Sequence, residues 1–171
     1  MGGQDKGLIE YQQRPMISHI IDALSLQTDN IVINANRNKD VYAAYGFPVI
    51  EDTYSGFQGP LAGFYAAMSE VKTDYILTLP CDGKVVIDNY LSTMMQAMND
   101  SGCDIAVATD GKRLQPVYAL IPIRLKHSLQ QFLDGGDRKI DLWYQQHNMS
   151  EVEFISHDDL FANINSPQDL T

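Results

Sequence analysis

Apolar residues follow two rhythms along this chain, and the rhythms alternate. Short, nearly unbroken runs rich in β-branched residues lie at 31–34, 48–50 and 75–79, and two more follow close together at 105–109 and 115–121. Runs of this kind fit strands covered on both faces. A late run at 152–155 predicts an edge strand. Between the runs, apolar residues recur three and four apart. Met16, Ile17, Ile20, Ile21 and Leu24 mark a first helix with Pro15 at its first position. A second, over 39–45, ends at Gly46, a natural residue for a helix exit. Pro60 opens a third carrying Leu61, Phe64, Tyr65 and Met68. Leu91, Met94, Met95 and Met98 form the stripe of a fourth, with the methionines as gap-filling core. Asp137 is placed to cap a helix through Ile140, Leu142, Trp143 and Tyr144, and Ser166-Pro167 starts a short last one. Strand and helix patterns in alternation, without internal repeats, predict an α/β fold with a mostly parallel sheet and crossover helices. The first predicted element is a helix. A doubly wound domain begins with a strand in mid-sheet, so the chain enters the fold one step late.

Composition narrows the partners. The 171 residues fit one domain, and 44% are hydrophobic. Twelve Lys and Arg against 22 Asp and Glu give a formal net charge of −10, which argues against a nucleic-acid partner. A single triphosphate is compatible with that balance, because a phosphate site needs local donors and a metal rather than a basic protein. No apolar run is long enough for a membrane span, and the first residues carry neither a signal peptide nor a myristoylation pattern. Cys81 and Cys103 lack metal-like or redox-like spacing and read as two small buried residues in a reducing cytosol. His19, His127, His147 and His157 have no obvious nucleophile partner, and His19 is expected on a helix surface.

Three features carry candidate chemistry. Gly2-Gly3-Gln4-Asp5-Lys6-Gly7 is a flexible segment whose backbone can approach an anion, with Lys6 as a mobile positive charge. It also fits a frayed terminus. Glu51-Asp52 and Cys81-Asp82 each follow a predicted strand, and in open α/β sheets ligands bind beyond the carboxyl ends of strands. Carboxylates there suit Mg²⁺ or a ribose hydroxyl; they also suit turns and caps. Gly59-Pro60-Leu61-Ala62-Gly63 at a helix start offers backbone donors and permits close approach, or is a simple tight turn. Asn34 and Asn36 end a strand, and Asn163 and Asn165 precede the last predicted helix; amides there suit base recognition or turns equally.

Taken in order, the segments resemble the molybdenum cofactor guanylyltransferases. The matching run is Met1-Gly2-Gly3-x-Asp5-Lys6-Gly7, Asn34-Ala35-Asn36-Arg37, Val49-Ile50-Glu51-Asp52, Gly59-Pro60-Leu61-Ala62-Gly63, Pro80-Cys81-Asp82 and Asn163-x-Asn165-x-Pro167. The resemblance implies a three-layer Rossmann-like nucleotidyltransferase fold over residues 1–171. It implies transfer of GMP from Mg-GTP to the phosphate of molybdopterin carrying molybdenum. It implies Lys6 and Asp82 as catalytic residues, Lys6, Asn34, Asp52 and Asp82 as GTP contacts, Asp82 as the Mg²⁺ ligand, and Asn163 and Asn165 toward the pterin. Arg138 and Lys139 are further expected near the pterin phosphate. GTP and molybdopterin are the implied substrates of a cytoplasmic monomer, with molybdoenzymes or other cofactor-biosynthesis proteins as partners. Two departures stand out. Lys84 stands where the family commonly has Pro. The family's first strand and Leu-Ala-Gly-Gly loop lie upstream of the Met-Gly-Gly match, so the domain is expected to be N-terminally truncated with Met1 an internal methionine. Two alternatives stay open: a nucleotidyltransferase using CTP or a sugar phosphate, and an inactive remnant that binds pterin or a partner enzyme.

Overall fold

The computed structural model describes residues 5–56, 58–83, 86–154 and 161. After a 3₁₀ turn at Lys6–Leu8, β1 (Glu10–Tyr11) and β2 (Arg14–Pro15) pair antiparallel in a two-residue hairpin. Its turn residues, Gln12 and Gln13, both have positive φ (49° and 65°), the mirror-image turn that matches strand twist. This hairpin is not foreseen by the apolar pattern, because neither turn residue is the Asn or Gly that usually signals it. It delivers the chain into α1 (Met16–Ser25), with Pro15 as the residue just before the helix rather than its first member. His19 packs on the hairpin, its Nε2 2.9 Å from the Tyr11 carbonyl.

Two sheets follow. β3 (Ile33–Asn34) pairs parallel with β4 (Val49–Ile50), joined by α2 (Lys39–Ala43). The second sheet has the order β5-β7-β6-β8, from Tyr75–Thr78, Leu114–Pro122, Ile105–Thr109 and Met149–Glu153. Here the pairing is mixed rather than mostly parallel: β7 runs antiparallel to both β5 and β6, and only β6 and β8 are parallel. The cause is legible in the chain. Only residues 110–113 connect β6 to β7, too few for a parallel crossover. β8 is an edge, as expected, though it starts earlier than the apolar run. Among the described residues no strand joins β3 to β5.

Helices cover both faces, giving three layers. Alternate residues of β6 and β7 point opposite ways, as the pleat requires. Ile105, Val107, Ala119 and Ile121 pack with Leu61, Phe64 and Met68 of α3 (Pro60–Glu70), Leu129, Phe132 and Leu133 of α5 (Lys126–Asp134), and Trp143 of α6 (Ile140–Tyr144). Ala106, Ala108, Tyr118 and Leu120 pack on the other side with Tyr90, Met94 and Met98 of α4 (Tyr90–Ser101). α5 is absent from the sequence reading above, although its Leu129, Phe132 and Leu133 have helical spacing. Asp137 does not cap α6; Lys139 precedes that helix and no side-chain cap forms. The predicted last helix at Ser166-Pro167 lies outside the described residues.

Two helices bridge the sheets. α1 places Ile17 and Ile21 against Ile33, Ala35 and Tyr42, and Ile20 in the cluster under β6 and β7. α3 touches β3, β4 and β5. No helix among the described residues is long and apolar enough to cross a membrane.

Candidate active site

Polar residues gather where β3, β4 and β5 end. Asn34 closes β3, Asn36 lies two residues on, and Asp52 lies two residues past β4. Because β3 and β4 run parallel in register, with Asn34 opposite Ile50, these side chains meet. Asn34 donates its amide to Asp52 Oδ1 at 3.0 Å, and Asn36 donates to Oδ2 at 2.7 Å. The Asp52 backbone N–H returns a bond to Asn36 Oδ1 at 2.8 Å. The carboxylate is therefore fixed by amides on both oxygens. Gly63 of α3 lies directly behind: a Cβ built there would overlap the Asn34 side-chain oxygen and stand 3.6 Å from Asp52 Oδ1. The helix start tolerates this approach because Gly63 has no side chain. Gly59, just before α3, has φ of 72°, where a side chain would be strained.

The second group forms beyond β5. Asp82 is 8% exposed, and its Oδ2 lies 2.8 Å from Lys6 Nζ, 76 residues away in sequence. Burying a carboxylate is tolerable because it is paired. Lys6 is half-exposed, so its ammonium faces both the carboxylate and solvent. Gly83 must stay small, since a Cβ there would stand 2.7 Å from the Tyr118 hydroxyl. Burial, with the Asp82 charge adding, pushes the Tyr118 phenol well above the usual tyrosine range. The expectation of two buried cysteines holds for Cys103 and fails for Cys81, which is exposed as a residue. Its thiol nevertheless lies against Gly7, and burial, then the charges of Asp82 and Asp5, push it up to about 11.

Between the two groups sits the turn that carries Lys6. Asp5 accepts the Tyr42 hydroxyl at 2.6 Å and the Asn38 amide at 3.1 Å, and pairs with Arg37 Nε at 3.4 Å. Asn36 leads directly into these residues. Polar contacts thus run from Asp52 through the 36–38 segment and Asp5 to Lys6 and Asp82. Of the sequence-predicted site residues, Lys6, Asn34, Asp52 and Asp82 all belong to this continuous arrangement at the strand ends. Asn163 and Asn165, like Lys84, lie outside the described residues. Arg138 is drawn elsewhere: its guanidinium bonds the Gln58 side chain and the carbonyls of Leu133 and Asp137. Those bonds pin the loop before Gly59, which Tyr54 also ties down through its 2.8 Å bond to Asp134. Lys139 is exposed. The contacts of Asp5 with Tyr42, Asn38 and Arg37 were not foreseen from the sequence, although Asp5 stands beside Lys6.

No group of three or more His, Cys, Asp or Glu among the described residues could hold a metal ion. One buried carboxylate, Asp82, does not make a protein-only cage. It does fit Mg²⁺, which retains waters and completes its shell with substrate phosphates.

Residues 1–150 match the family described as the MobA-like NTP transferase domain. The molybdenum cofactor guanylyltransferase of Shewanella piezotolerans is 45% identical over 168 residues, spanning 98% of this chain and 82% of the relative. That of Shewanella putrefaciens is 46% identical over 166 residues, spanning 97% and 85%. Among solved structures, molybdopterin-guanine dinucleotide biosynthesis protein A from Archaeoglobus fulgidus superposes with a TM-score of 0.80 at 20% identity, covering 98% of this chain and 88% of that one. The 2-C-methyl-D-erythritol 4-phosphate cytidylyltransferase of Thermus thermophilus gives 0.73 at 13% identity, covering 96% and 90%. At those identities the two structures speak for the nucleotidyltransferase fold alone.

Proposed function

The chain belongs to the family of MobA-like NTP transferase domains, and from that premise we propose that it transfers GMP from GTP to molybdopterin carrying molybdenum, releasing pyrophosphate. The choice of guanine and of the pterin acceptor rests on the relatives' names and their similarity over nearly the whole chain. The observation that carries the chemistry is the delivery of Lys6 to Asp82 beside the Asp52 cluster. Residues 1–171 act in this reading as one nucleotidyltransferase domain, since α1 and α3 brace both sheets.

In the transfer, an oxygen of the pterin phosphate bonds to the α-phosphorus of GTP, and the bond to the β-phosphate oxygen breaks. Phosphoryl-type transfer asks mainly for positioning and charge neutralisation. Asp52, already fixed by Asn34 and Asn36, accepts hydrogen bonds from the nucleoside half without paying to be ordered. Lys6 turns from Asp82 toward the phosphates and offsets charge growing on the leaving pyrophosphate. Asp82 would hold Mg²⁺, which when bound would supply further neutralisation of phosphate charge. Gly59 leaves the start of α3 without a side chain, so a nucleotide can approach its backbone, while Gly63 makes room for Asn34 and Asp52.

The test is pyrophosphate release with molybdenum-loaded molybdopterin and GTP, with CTP in parallel. Release with GTP alone is expected. Equal turnover of CTP would move the chain to the cytidylyltransferases. Pterin binding without release from either nucleotide would make it a binding protein.

A further inference from the structure

Asp5 has no catalytic contact to offer. Its side chain is 13% exposed and meets α2 and the segment that follows β3. There it is surrounded by donors of three kinds. Tyr42 gives a short hydroxyl bond at 2.6 Å, Asn38 an amide at 3.1 Å, and Arg37 a guanidinium nitrogen at 3.4 Å. Each donor has been arranged. Tyr42 is 3% exposed and anchored in the cluster with Ile17, Ile21 and Ile33, so its hydroxyl cannot wander. Burial, then the bond to Asp5, raise its phenol far above the usual range, keeping it a donor at any physiological pH. Asn38 adopts a left-handed conformation, φ of 51°, immediately before α2. Asn is among the non-glycine residues that adopt this conformation most readily, so it presents its amide there at little strain. Gly7 completes the fit. A Cβ at Gly7 would stand 2.7 Å from the Tyr42 hydroxyl and 3.2 Å from Cys81 Cβ, so the turn wedges between α2 and the end of β5.

The residue between these two wedged positions is Lys6. With Asp5 fixed to one sheet and Gly7 packed against the end of β5, the reach of Lys6 toward Asp82 is set by its neighbours. We propose that Asp5 is a positioning residue: through Tyr42, Asn38 and Arg37 it locks the turn that carries Lys6, and thereby places the ammonium for the phosphate chemistry. This rests on the guanylyl-transfer reading for its activity arm only.

If Asp5 works through Lys6, the two must be coupled, and a double-mutant cycle measures it. Asp5→Ala is expected to lower kcat by about 10–100-fold, the scale of loss when a reacting group is displaced by about an ångström. In a Lys6→Ala background the same change should cost less than about twofold further. Losses that simply multiply would overturn the proposal. A second readout needs no turnover. Trypsin cleaves after Lys6, so the rate of cutting at Lys6-Gly7 in the ligand-free protein reports the latch. Tyr42→Phe, which removes one hydroxyl from an otherwise intact core, should speed that cut by about fivefold or more while leaving the cut at the exposed Lys112 unchanged. Unchanged cleavage at Lys6 in the well-folded Tyr42→Phe protein would also overturn it. Should the wild type release no pyrophosphate, the transfer reading fails by itself and the tryptic rates still decide the latch.

Discussion

Asp52 follows one sheet and Asp82 the other, and the protein holds the two carboxylates by opposite means. Asp52 is gripped by neutral amides on both oxygens, from residues on the neighbouring strand. Asp82 is held by a mobile cation from the far end of the chain. Amides fixed by a parallel strand pair leave little to rearrange and leave the carboxylate its full charge. An ion pair with a half-exposed lysine opens readily, because solvent can hydrate the ammonium as it leaves. The difference matches a division of labour, with a rigid anchor for the nucleoside and an exchangeable partnership where phosphate charge has to be met.

The largest expected effect falls on the exchangeable side. Asp82→Ala should lower the rate of pyrophosphate release at least about a hundredfold, as removal of an electrostatic stabiliser does; near-normal turnover would take Asp82 out of the chemistry. On the rigid side, Asn36→Ala should weaken GTP binding about tenfold by freeing one Asp52 oxygen, the loss of a charge-assisted bond. Calorimetry should find kcat at saturating GTP little changed, and a loss confined to kcat would break the division drawn above. Cys81 reports on the exchangeable side alone. Its iodoacetamide reaction should be slow at neutral pH and accelerate toward about 11, and Asp82→Asn should shift that profile to lower pH by removing a neighbouring negative charge. Asp52→Asn should leave the profile in place. The smallest effect concerns the core beneath. The Tyr90 hydroxyl is buried with no hydrogen-bond partner among the described residues, so Tyr90→Phe should stabilise the fold by roughly 1 kcal/mol, seen as a higher unfolding temperature with catalysis intact.

Strands β3 to β8 and most helices were legible because their burial is written into apolar rhythm. The five fully buried residues of β6 and the stripe of α1 are examples. Asn34, Asp52 and Asp82 drew notice for a different reason, since each lies at or just past a strand that could be read, and Lys6 through its glycine-flanked segment. What escaped was tertiary. Gln12 and Gln13 adopt left-handed turns without the residue types that announce them. The role of Asp5 depends on Tyr42, 37 residues away. No local pattern pairs them, and only the folded arrangement of α2 against the first turn does so. Asn36 was visible as a candidate but not as a grip on Asp52, because that requires the register of β3 on β4.

The division into two sheets has a mechanical consequence. Among the described residues, two helices and one polar turn brace them together. Any molecule that grasps Asp52 with one end and Asp82 with the other becomes a rivet across that seam. Such a molecule stiffens the plates it joins, so occupancy should slow amide exchange along the flanks of α1 and α3, beyond the residues it touches directly.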